Sequence, residues 1–221
     1  MIFKVIDKMG TIGENYPKIC ENTHDLLKDY INAKRNGLKN QITKSSKKLE
    51  KYILSKVKDV VKRFYDNDFS LLNDGMSEWT VTGRLAMYLQ YEFEDFTGYF
   101  VDIEYYRLKV PRDRVSDIRT QRIRCDILLH TRGKYNHNVD NLLAMEIKLE
   151  DNVDDGESDM SRLAEFVLPD PSNEHNNVVH STLVGLFLRL GKKGYSSCQL
   201  KSNGYKEIKV QSKQKTKQKT T

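Results

Sequence analysis

No run of about 18 apolar residues occurs in the 221-residue chain, so no segment has the reach of a transmembrane helix. The opening MIFKVIDKMG has too short an apolar stretch for a secretory signal. Cysteine is scarce: Cys20, Cys125 and Cys198 are odd in number, far apart and without a CxxC pair. That excludes a disulfide framework and a zinc ribbon, and it leads to the expectation of reduced thiols in a cytoplasmic protein with no membrane partner. His24, His130, His137, His175 and His180 show no HxxxH spacing, which argues against a histidine-ligated zinc. The acids Asp154, Asp155, Glu157 and Asp159 do not follow the spacing of a calcium loop, and Asp159 is read more simply as an acid at a helix start. Nothing in the chain resembles a sequence-reading nucleic-acid module.

Charge, by contrast, is plentiful. Hydrophobic residues make up 38% and charged residues 31% of the chain, so a packed core is expected over only part of its length. The net charge of +6 hides an asymmetry: residues 28–63 carry 12 Lys/Arg against 3 Asp/Glu, and residues 64–200 carry 15 against 23. From Lys201 onward the balance is 7 basic to 1 acidic. An acidic middle between two basic segments suits a polyanion-binding protein with a carboxylate-rich site, although lysine-rich helices also exist simply as solvated faces.

Periodicity orders the chain. Leu49, Tyr52, Ile53, Val57, Val60 and Phe64 recur at three- and four-residue steps, so about 24–64 is expected to be helical, interrupted at Gly37. This apolar stripe needs cover, from the rest of the chain or from a second copy or partner protein. Residues 67–75 (NDFSLLNDG) are expected to be a linker. A helix follows from near Ser77, its N-cap, to about Phe93. Strands are expected at 99–110, 121–130 and 141–149, then a helix at 158–167 ended by Pro169 and Pro171, then strands at 182–189 and 196–200. The last eleven residues (QSKQKTKQKTT) are expected to be disordered. The division expected is a basic helical extension over 1–66, an α/β domain over 67–210 and a basic tail over 211–221, the domain layering helices on both sides of a mixed sheet.

The chemistry concentrates at the ends of two of these strands. The segment 141–149 (NLLAMEIKL) starts almost wholly apolar, as a central strand does. Side chains alternate along a strand, so Glu146 and Lys148 share a face while Met145, Ile147 and Leu149 share the other. Charges at the end of a buried strand are costly unless paired or bound to a metal. Asp126, opposite in facing to Cys125 and Ile127, lies on the preceding strand and converges on Glu146 if the two strands are neighbours. Two hard carboxylates with waters suit Mg²⁺, and Lys148 would place a positive charge beside a reacting phosphate. A second Glu-x-Lys, Glu207-Ile208-Lys209, lacks the apolar lead-in and the following helix, and is read as a chance repeat.

Asp126, a gap of about twenty residues and then Glu146-Ile147-Lys148 resemble the PD-(D/E)xK, or restriction-endonuclease-like, superfamily over about residues 76–200. The resemblance implies a three-layer αβα sandwich with a mixed central sheet. It also implies Mg²⁺-dependent hydrolysis of DNA phosphodiesters, with Mn²⁺ as a substitute metal and RNA not excluded as substrate. Asp126 and Glu146 would be metal ligands and Lys148 the catalytic lysine. Glu78 matches an acid on the first core helix that joins the metal in such proteins, although an acid in a first turn also complements the helix dipole. Cys125 stands where the family has proline. By analogy the role would lie in defence against foreign DNA or in repair. Arg112, Arg114, Arg119, Arg122 and Arg124 form a basic stretch that would grip phosphates, or else a solvated loop beside Asp113 and Asp117. The rival expectation is a non-catalytic nucleic-acid-binding module with a nuclease-like fold and basic arms.

Overall fold

The structure is a computed structural model that describes residues 23–108, 122–132, 139–151, 157–167, 182–201 and 204–210. Among these residues no helix is long and apolar enough to cross a membrane.

Helix α1 (Asp25–Arg35) begins where His24 Nδ1 accepts the Leu26 amide proton at 3.2 Å. It stops before Gly37, whose φ of 66° lies in the left-handed region that glycine adopts without strain. Helix α2 (Lys39–Asn67) then carries the apolar stripe, and Leu49, Ile53, Val57, Val60 and Phe64 are all buried. The cover comes from the chain itself. These side chains join one cluster with Val81, Leu85 and Leu89 of α4 (Glu78–Glu92). The stripe is therefore not the surface on which a second copy or a partner would dock. Two ion pairs, Lys56 and Arg63 to Glu92 at 3.0 and 3.4 Å, tie α2 to α4 along the edge of that contact.

The stretch expected as a linker holds a short helix, α3 (Phe69–Asn73), which buries Leu72. Its two leucines and Phe69 find apolar cover, and that outweighs the turn-forming Asn and Asp around them. Ser77 caps α4 as its position predicts, its Oγ accepting the Thr80 amide proton at 3.3 Å.

Among the described residues six strands follow: β1 (Phe100–Leu108), β2 (Arg122–His130), β3 (Asn141–Leu149), β4 (Val184–Gly191), β5 (Gly194–Lys201) and β6 (Gly204–Val210). They form one sheet in chain order. Neighbours are antiparallel except β3 and β4, which run parallel. A parallel pair needs a crossover, and that crossover contains α5 (Glu157–Val167). Strand β6 was not expected from the sequence. Asn203-Gly204, a dipeptide typical of tight hairpins, was the signal available for it.

The sheet is covered on both sides. Met145 and Ile147 pack into the cluster of α2 and α4, while Ala144 packs with Leu163 of α5. Every residue from Asn141 to Lys148 is buried, as a strand covered on both faces must be. The chain is thus an α/β fold around a mixed sheet. A glycine makes α5 fit: a β-carbon at Gly185 of β4 would collide with Val167 Cγ2. On the other side the Tyr65 hydroxyl donates to the carbonyls of Gly191 and Gly194, at 2.9 and 2.7 Å, and clamps the β4–β5 turn to α2.

Candidate active site

The sheet changes character at Asp126. The β2–β3 ladder runs from His130 opposite Asn141 to Ile127 opposite Met145, and stops there. In place of the next ladder bond, the Ile147 amide donates to Asp126 Oδ2 at 2.7 Å. On the other flank the β1–β2 register passes over Glu104, which has a φ of 49°. Such a conformation in a residue other than glycine costs on the order of 1–3 kcal/mol and gathers at functional sites. The regular alternation of β2 also breaks here. Cys125 was expected to share a face with Ile127 and Leu129. Instead it lies in the α5-side cluster, whereas they lie in the α4-side cluster. The irregular backbone on either side of Asp126 moves Cys125 across.

The geometry that results brings Asp126 beside Glu146. Glu146 is 1% exposed and Lys148 8%, so two ionisable side chains of one strand end lie inside the protein. Burial, and then the neighbouring Asp126 charge, push the Glu146 carboxyl up to about 9. Asp126 is raised as well, by burial first, with the Ile147 amide bond opposing the shift. Glu146 Oε1 is buried and accepts no hydrogen bond. A buried carboxylate oxygen without a donor costs several kcal/mol on the usual scale unless a proton or a cation compensates it.

Glu78 reaches the same strand end from α4. Its Oε2 accepts the Leu149 amide proton at 3.2 Å, and its charge helps to raise Asp126. It sits at the rim, against a cleft of about 370 Å³ that Leu149, Glu150, Gly191 and Lys192 also line. That cleft opens at the carboxyl ends of the parallel pair β3 and β4, where ligands collect in open α/β sheets.

Two residues missed by sequence reasoning complete the constellation. Asp159, expected only to complement a helix start, is 5% exposed, and its Oδ2 is 3.2 Å from Lys148 Nζ. Arg162, one turn further along α5, pairs with Asp159 and stands 3.5 Å from Glu146 Oε2. The i,i+3 spacing of Asp159 and Arg162, with Leu163 on the buried side, was a usable signal.

The arginine stretch fares differently. Arg112, Arg114 and Arg119 lie outside the described residues, as do the tail and the prolines after α5, and for Arg122 only the backbone is described. Arg124 pairs with Glu104 at 3.1 Å. Of the two described cysteines, Cys125 is buried and Cys198 partly buried.

The donor set suits a hard divalent ion. Asp126 and Glu146 are carboxylates on adjacent strands, and the unsatisfied Oε1 supplies a lone pair with no donor of its own. Mg²⁺ commonly binds through one or two carboxylates and keeps several waters. Among the described residues no group of three or more His, Cys, Asp and Glu could hold a metal ion. No family model, curated protein or solved structure matches the chain.

Proposed function

We propose that the protein is a metal-dependent endonuclease that hydrolyses DNA phosphodiesters, with the restriction-endonuclease-like fold its sequence resembles. The observation that carries this reading is the burial of Glu146 and Lys148, with the part-buried Asp126 beside them, where the β2–β3 ladder opens. A surface Glu–Lys pair would have no reason to sit there, because burying charge is unfavourable without a compensating role. The order of elements from α4 through β4, with a single parallel pair and α5 in the crossover, agrees with the same class.

Asp126 and Glu146 would hold Mg²⁺, or Mn²⁺ in its place. The bound ion would polarise the scissile phosphate and lower the pKa of an attacking water. Lys148, held at 3.2 Å by Asp159, presents its ammonium on the same face as Glu146. It would stabilise the charge that builds on the phosphate. Glu78 holds the end of β3 through the Leu149 amide and adds negative charge at the cleft. Lys44, Lys47, Lys48, Lys51, Lys58 and Lys62 are exposed on α2, where they would give salt-dependent, sequence-independent affinity for a polyanion.

The test is incubation of supercoiled plasmid with the full chain and Mg²⁺ or Mn²⁺, beside Asp126→Ala and Lys148→Ala. Nicking by the wild type and by neither variant is the expected result. Retained DNA binding with no nicking in either metal would overturn the enzyme reading and leave a binding module with basic arms.

A further inference from the structure

Helix α5 brings a cation to a place where a metal site would need none. Arg162 ion-pairs with Asp159 and reaches Glu146 Oε2 at 3.5 Å. The two partners differ sharply in exposure. The Arg162 side chain is 43% exposed, whereas that of Glu146 is 1% exposed. The guanidinium therefore approaches the buried carboxylate from the solvent side. Such a group can withdraw without leaving a buried charge of its own. Arginine also stays charged at every physiological pH, so its presence cannot be tuned away by a proton.

Glu146 divides its two oxygens. Oε2 faces Arg162, and Oε1 is buried with no hydrogen-bond partner. Asp126, the nearest acid on β2, already spends Oδ2 on the Ile147 amide. A divalent cation entering between Asp126 and Glu146 would bring the charge that Arg162 now supplies in part. Two cations against one buried carboxylate repel each other, so binding of the ion and the Arg162–Glu146 contact oppose one another.

Resting on the metal-dependent reading above, we infer that Arg162 is the resident cation at the Glu146 carboxyl, which a divalent cation must displace from Glu146, and that it thereby sets the metal affinity of the site. A merely structural strut has the opposite signature. Removing a strut loosens the site and weakens metal binding, whereas removing a competitor tightens it.

The experiment is calorimetric titration of MgCl₂ and of MnCl₂ into the full chain at fixed pH and ionic strength. The proteins are wild type, Arg162→Met, Arg162→Lys and Asp126→Ala, each also melted with and without the metal. Arg162→Met is expected to bind Mg²⁺ roughly tenfold more tightly, as loss of a partly solvated competing charge implies. Arg162→Lys, with charge retained on a single-point donor, should fall between the two. The metal-free Met variant should melt below wild type and gain more on saturation. If Arg162→Met unfolds, Arg162→Gln carries the same comparison. Equal or weaker binding in the uncharged variant, with wild type still binding, overturns the inference and leaves the metal centre intact. Absence of binding in every protein, or binding that survives Asp126→Ala, overturns both.

Discussion

The chain contains Glu-Ile-Lys twice, and the two copies occupy very different strands. Glu146-Ile147-Lys148 ends β3, which has a hydrogen-bonded neighbour on each side and helices over both faces. Glu207-Ile208-Lys209 lies in β6, which among the described residues is the last strand of the sheet and pairs only with β5. The three residue types are identical, so the difference comes entirely from surroundings. In β3 burial raises the Glu146 carboxyl to about 9 and surrounds the motif with Asp126, Asp159 and Arg162. An edge strand leaves one backbone row without a strand partner, and charged residues there commonly serve to discourage further pairing. A short motif therefore acquires chemistry from its place in the sheet.

The largest effect expected separates the copies by activity. Lys148→Ala should lower plasmid cleavage by about a hundredfold to a thousandfold, the usual cost of removing one charge-stabilising group. Lys209→Ala should leave the cleavage rate unchanged under the same conditions. Equal losses at both positions would mean that the lysines act only as general polyanion contacts.

Next comes the cover that α5 gives the sheet. Gly185→Val places a side chain where Val167 of α5 already sits. Overpacking of this kind costs about 1–3 kcal/mol, read as a drop in the denaturant midpoint. Because α5 carries Asp159 and Arg162, cleavage should fall further than stability alone explains. A variant with native stability and native cleavage would show that α5 does not need its close approach.

The third effect is in the pH dependence of stability. Glu146 binds its proton up to about pH 9 in the folded protein, against a value of 4.5 when unfolded. Between those limits the native state holds more protons, so this group makes metal-free stability fall as pH rises and level off above the upper value. Glu146→Gln should flatten that slope. Melting temperatures across the interval, measured with a chelator present, decide the matter. A slope unchanged by Glu146→Gln would show that Glu146 is not the group responsible.

Much of this architecture was legible beforehand. The α2 stripe, the break at Gly37, the Ser77 cap and the apolar run of β3 all express local periodicity or a local backbone preference, which a linear reading detects directly. The burial of Glu146 and Lys148 followed from the same run. What escaped was of another kind. Helix α3 depended on apolar cover from distant residues, and β6 was hidden by its similarity to the basic tail. Cys125 changed faces because the backbone around Asp126 is irregular, and no pattern of residue types announces such a break.

By itself, then, the sequence determined which residues could bear charge inside the protein and along which strands they would lie. Alternation and hydrophobic runs are properties of neighbours in the chain. Only the tertiary structure decided that the α2 stripe would be covered within the chain, and that Glu78 would bind a strand end. It also brought α5 over the site, setting Asp159 against Lys148 and Arg162 against Glu146. Those contacts join residues on separate elements, and their distances depend on how closely a helix can lie against a sheet. At Gly185 that closeness is set by a single missing β-carbon.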